Sequence, residues 1–198
     1  MASPDRLRAE RLRQADAVFA AAAPPPRRET YWQPISISGL VAFLLGCAWL
    51  MLLLATDKDG FLLIVDSFNL VVHEFGHPLF GIFGEGAMWW GGTLAQLLLP
   101  LGVTVLFWRQ RAALSMLLAG VWFFENFLNI ARYIADARAQ ELPLVGGGEH
   151  DWARILGDHG WLRDDTSIAS AVNAVGWAGM ISCTVLALVL WYFQTREQ

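Results

Sequence analysis

The stretch VVHEFGHPLFG, residues 71–81, decides how the chain is read, because it places three ionisable side chains inside an apolar run. His73, Glu74 and His77 stand there in the order H-E-x-x-H. On a helix, positions i and i+4 share one face about one turn apart, so two imidazoles there can grip one zinc ion while the intervening glutamate reaches its water. A metal so held brings the pKa of water down towards ~7 and polarises a carbonyl, and Glu74 is placed to take the proton. Histidine is scarce, 4 in 198 residues, and chance placement would give the pattern about three times in a thousand chains of this composition. The plainer readings are a polar face packed on neighbouring helices, and a site that holds metal without hydrolysis.

The surrounding composition says where this motif lies. Apolar residues make up 56% of the chain and charged residues 16%, with mean hydropathy +0.42, against about 25% charged residues in an ordinary globular domain. That is the composition of a membrane protein, and ionisable groups in a membrane span mark a functional site because lipid makes them costly. The net charge of -4 leaves no basic surplus, which excludes a nucleic-acid partner. Cys47 and Cys183 each sit inside an apolar run, so neither a disulfide framework nor a cysteine zinc cluster can be built.

A span needs about 20 apolar residues. Residues 35–55, 61–82, 112–136 and 168–193 meet this, and the shorter run 93–108, which carries Pro100, reads as a thin or broken span. GEGAMWWGG, residues 84–92, is glycine-rich and polar, so a loop or short re-entrant hairpin is expected over 83–92. The fold expected is therefore all-α, a polytopic membrane protein of about five transmembrane helices. Residues 1–34 hold Arg6, Arg8, Arg11, Arg13, Arg27 and Arg28 among acids, which suits a surface helix over residues 4–22 ended by Pro24, Pro25 and Pro26. Five crossings put this segment and the 137–167 loop on one side with nine Lys/Arg, against four on the other, so both are expected to be cytoplasmic.

A catalytic zinc takes three protein ligands and leaves one position open. In FFENFLNIARYIADAR, residues 123–138, Glu125, Asn129, Arg132 and Asp136 fall on one helical face that must look inward. Asp136, at the end of that span, is one candidate for the third ligand, and a salt bridge to Arg132 or Arg138 is its alternative role. The loop GGGEHDW, residues 146–152, with His150 and Asp151, competes for the position. Asp66 and Asn69 share the face of the histidines and are candidates to hold an imidazole's second nitrogen or to bond a neighbouring helix.

HEFGH at 73–77 in a membrane span, Gly91-Gly92 after a short loop and Asp136 near the end of a later span together resemble the site-2 protease family of intramembrane zinc metalloproteases, over roughly residues 61–140. The resemblance implies zinc bound by His73, His77 and Asp136, with Glu74 as the catalytic base. It implies hydrolysis of a peptide bond in a membrane protein or peptide, within a lipid bilayer such as the bacterial inner membrane. Two alternatives stay open: a metal-binding membrane adaptor or chaperone without protease activity, and an amide hydrolase acting on a lipid-like substrate.

Overall fold

The computed structural model describes residues 32–57, 62–145 and 148–195; the surface helix expected over residues 4–22 lies outside them. Among the described residues the regular structure is helical: α1 (Ile37–Thr56), α2 (Leu63–Gly81), α3 (Glu85–Arg109), α4 (Ala113–Ala135), the short α5 (Asp151–Asp158) and α6 (Asp165–Gln194), with a 3-10 turn over Leu162–Asp164. The starts follow from local chemistry. Ser36 caps α1 by accepting from Gly39 N at 3.1 Å. The Asp66 carboxylate folds back onto Leu62 N at the start of α2. Gly84, at φ 115°, supplies a backbone turn open to glycine and closed to side chains, and it separates α2 from α3.

Among the described residues, four helices are long and apolar enough to cross a membrane: α1, α3, α4, and α6 with its preceding turn. α4 and α6 pack closely because Gly176 and Gly179 face Phe124, where a Cβ would stand 2.9 Å and 2.0 Å from Phe124 atoms. Cys47, Leu117, Val121, Met180 and Ala187 form the buried core among α1, α4 and α6. A second apolar cluster sits where α5 meets α4 and α6, around Ile130, Ile134, Trp152, Ile155, Leu156 and Ala169. Burial of Trp152, Ile155 and Leu156, each worth about 1.5–3 kcal/mol, fastens α5 there.

The two ends of this bundle are defined by hydrogen bonds. At one, Gln33 N donates to Arg111 O at 2.9 Å, and Ile35 and Gln194 exchange two bonds of 2.7 Å. At the other, Arg138 pairs with Asp165 at 2.7 Å. Gln33 and Ile35 are therefore at the opposite end from Arg138 and Asp165, which corrects the five-span arrangement that put the two segments on one side.

The reason is α2. Its first turns lie beside the second half of α4, Asp66 accepting from Asn129 and Asn69 meeting Glu125 and Trp122, each at 2.9 Å. α1 ends nearby, since Leu54 and Asp57 share a cavity with Leu128, Ala131 and Arg132. α2 then leaves towards α5, with His77 and Met88 beside Glu149 and Asp151. It begins part-way down the bundle and exits at the end where α1 finished. A second correction concerns residues 83–92, which form no re-entrant hairpin: α3 runs unbroken from Glu85. Its glycines are needed for contact rather than for a loop. Gly76 and Gly91 oppose one another so closely that a Cβ on either would lie 2.2 Å and 2.5 Å from the other's carbonyl oxygen.

Candidate metal centre

α2 presents His73 and His77 on one face, their ring centroids 4.9 Å apart. Asp151, the first residue of α5, is buried against them. Its Oδ2 lies 2.9 Å from His73 Nε2 and 3.3 Å from His77 Nε2. Ligand atoms of the three residues all fall within 4.8 Å of one another. Gly92 makes room for the arrangement, because a Cβ there would stand 2.4 Å from His73 Nε2.

The far nitrogen of each imidazole faces an acceptor. His73 Nδ1 is 2.8 Å from Gln96 Oε1 and His77 Nδ1 is 2.9 Å from Met88 O. The Gln96 amide is oriented by its other contacts, donating from Nε2 to Asn129 Oδ1 at 2.9 Å and to Asn126 Oδ1 at 3.3 Å. Asn129 donates in turn to Asp66. With Nδ1–H given to an acceptor in both rings, the two Nε2 atoms carry lone pairs. Three acceptors then converge: two Nε2 and one carboxylate oxygen. Such a cluster requires a cation among them, either a proton shared with the imidazoles or a metal ion. Where the cation is a proton carried on the imidazoles, Nε2–H donates to Asp151: burial alone would raise its carboxyl, and the hydrogen bonds from His73 and His77 then hold it below the usual carboxylate range.

Two cavities flank the cluster. One, of about 380 Å³, is lined by Asp66, Leu70, His73, Glu74, Gln96, Asn129, Arg132, Tyr133 and the loop Leu142–Val145. The other, of about 190 Å³, reaches His77, Met88, Glu149 and Asp151. Glu74 and Tyr133 line both. The Tyr133 hydroxyl accepts from Asp151 N at 3.3 Å, and its ring lies 5.7 Å from that of His73.

His73, Glu74 and His77 are thus together, as their spacing predicts. Asp136 is not with them. Its carboxylate caps the turn after α4, accepting from Glu141 N at 2.9 Å and Leu142 N at 3.1 Å, and lies 3.3 Å from His150 Nε2. The acid at the histidines is Asp151, from the loop that the sequence offers as the competing source. His150, beside it, points away from the cluster: its Nδ1 accepts from Ala153 N at 3.2 Å as the cap of α5. Burial pushes the His150 imidazole below its ordinary range, against the pull of Asp136. Asp66 is linked to His73 through Asn129 and Gln96, whereas Asn69 bonds Glu125 and Trp122 on the neighbouring helix. Gln96 is the residue the sequence reading passed over, and its signal was an amide standing alone in the apolar run Leu94–Val103.

No family model, no curated protein and no solved structure matches the chain.

Proposed function

We propose that the chain is a membrane metalloprotease in which His73, His77 and Asp151 hold zinc and Glu74 acts as general base in peptide-bond hydrolysis. The observation that carries this is the convergence of His73 Nε2, His77 Nε2 and Asp151 Oδ2, with the far nitrogen of each ring already occupied. Two imidazoles and a carboxylate are a donor set that suits zinc and leaves a position open. The ion, when bound, supplies a Lewis acid that acidifies water and polarises the scissile carbonyl. Glu74 follows His73 on the helix and lines both cavities, so it can take the proton of the attacking water and pass it to the leaving amine. Gln96 and the Met88 carbonyl fix the tautomers. The Tyr133 hydroxyl accepts from Asp151 N, which leaves its own proton for a substrate oxygen. The 380 Å³ cavity, walled by Leu70 and Leu142–Val145, has room for a few residues of an extended peptide.

The test is Glu74→Gln, with zinc content and cleavage of a model membrane substrate measured together. Zinc retained with hydrolysis lost is the expected result. Hydrolysis retained at the wild-type level would end this mechanism, and zinc with no cleavage by the wild-type chain would favour the metal-binding adaptor.

A further inference from the structure

Away from the candidate centre, α5 borders a further cavity of about 500 Å³, within the range of roughly 300–1,000 Å³ that ligand sites occupy. Trp90 and Trp152 line it, their ring centroids 5.4 Å apart and their planes near perpendicular at 76°. Trp161 adds a third indole beside His159. Asp164 is the one carboxylate of the lining, and its side chain caps no helix. Indole walls that meet at a corner, with a carboxylate beside them, attract an ammonium group. A primary ammonium brings three N–H donors to a lining that offers one carboxylate, and the ring nitrogen Nδ1 of His159 already faces Ile155 O at 2.8 Å. A quaternary ammonium brings no donor to satisfy.

The position of the cavity indicates where such a group comes from. Trp90 stands in the second turn of α3, and Ile168, also in the lining, is the fourth residue of α6. Both helices are long and apolar enough to cross a membrane, and the ends of spans lie among lipid headgroups, where tryptophan is favoured. From Trp90 the same face of α3 continues as Leu94, Leu97, Leu101 and Val105 at helical spacing, half-buried or exposed. That is an apolar track for acyl chains leading away from the cavity.

We infer that this cavity binds the quaternary ammonium headgroup of a choline phospholipid, and that its occupancy steadies Asp151 at the histidines. Trp152 is the link. It follows Asp151 at the start of α5, it lines the cavity, and its buried Nε1 has no hydrogen-bond partner, so packing holds the ring. A headgroup adds packing on the cavity side. By linkage, a lipid that favours the ordered α5 raises zinc affinity by the factor by which zinc raises its own. The headgroup site does not rest on the hydrolytic reading; its effect on zinc rests on the metal assignment.

The purified chain in detergent is titrated calorimetrically with a short-chain phosphatidylcholine, the matching phosphatidylglycerol, and free choline. Saturable binding of phosphatidylcholine, tighter than either of the others, is expected. Trp161 and Asp164 are exposed, so Trp161→Ala and Asp164→Asn should fold. Trp161→Ala should weaken binding roughly 2–30-fold, the span of one cation–π contact, and Asp164→Asn should weaken it too. Equal affinity for the two lipids, or no loss in either variant, would overturn the headgroup site. Free choline binding as tightly as the lipid would overturn the lipid as its source. Chelator competition then reads zinc affinity with and without saturating phosphatidylcholine, and a rise of about 5-fold or more is expected. Unchanged zinc affinity would overturn the link through Trp152. A chain that binds phosphatidylcholine but no zinc would end the metal assignment, and that link with it, while the headgroup site stands.

Discussion

Replacing Gly92 by alanine challenges the centre by sterics alone. The added Cβ would stand 2.4 Å from His73 Nε2, 2.5 Å from Cε1 and 2.6 Å from Cδ2, where ordinary contact begins at 3.4 Å. The ring must retreat by about 1 Å, the scale of misplacement that disables a preorganised site. Retreat is opposed on several sides, since Nδ1 is held by Gln96 at 2.8 Å and the ring lies against His77 and Tyr133. Overpacking of this kind costs about 1–3 kcal/mol, and displacing a ligand should weaken zinc at least as much as losing a partner of its far nitrogen, about 10–100-fold. Gly86→Ala is the matched control: it lies on the same helix with nothing within 4 Å of its Cβ, so affinity should hold and stability should rise by up to about 1 kcal/mol. Competition titration of the purified protein with a chromophoric chelator reads the affinity, and thermal unfolding of the same samples reads the stability. Wild-type zinc affinity in Gly92→Ala would refute the placement of His73 against α3, and the centre built on it.

Asp151→Asn should lose most of its zinc, whereas Asp136→Ala should keep it and lose about 1–3 kcal/mol, the cost of leaving Glu141 N and Leu142 N without their acceptor; zinc per protein and thermal unfolding separate the two. Gln96→Leu removes the acceptor at His73 Nδ1 and the donor to Asn126 and Asn129, so zinc affinity should fall about 10–100-fold in the same titration, and an unchanged affinity would show that the tautomer of His73 is set elsewhere. Added zinc should raise the unfolding temperature by the linkage expected of a ligand that binds only the folded chain, about 2.7 kcal/mol at a hundred times the dissociation constant. Glu74→Gln should show the same thermal response as the wild type, since the glutamate serves water rather than the metal.

The spans were legible because 20 or more apolar residues in a row have few other uses, and α1, α4 and α6 begin and end within three residues of the expected bounds. The first two turns of α3 were not, because Gly91 and Gly92 look in sequence like loop residues while in the fold they let α2 approach. The inward stripe on α4 was also read correctly as a stripe and given the wrong partner. Glu125 and Asn129 serve Asn69 and Asp66 in the first half of α2, and Asp136 turns the chain after the helix. Asp151 reaches the histidines because Asp136 turns the chain after α4 and Trp152, Ile155 and Leu156 dock in the second core cluster. That is a tertiary event, and no periodicity in the chain records it.

The polarity of α2 and the level of the centre along the bundle follow from one another. A charged side chain at the middle of a spanning helix costs about 2.5–3.5 kcal/mol, and α2 carries Asp66 and Glu74 together with two histidines. α2 avoids that by beginning part-way down the bundle, with Asp66 and Asn69 answered by Asn129, Glu125 and Trp122. Its other face carries Ile64, Phe68, Val71, Phe75 and Leu79 at helical spacing, all exposed. α2 is not among the four described helices long and apolar enough to cross, and its apolar groups are gathered on that one face. Starting at that depth also carries His73 and His77, two to three turns on, to the level of Tyr133, where α5 can bring an acid from outside the spans. A helix of the same sequence made to cross fully would place Asp66 and Asn69 beyond Asn129 and Glu125, and would strand a carboxylate and an amide among Leu117 and Val121.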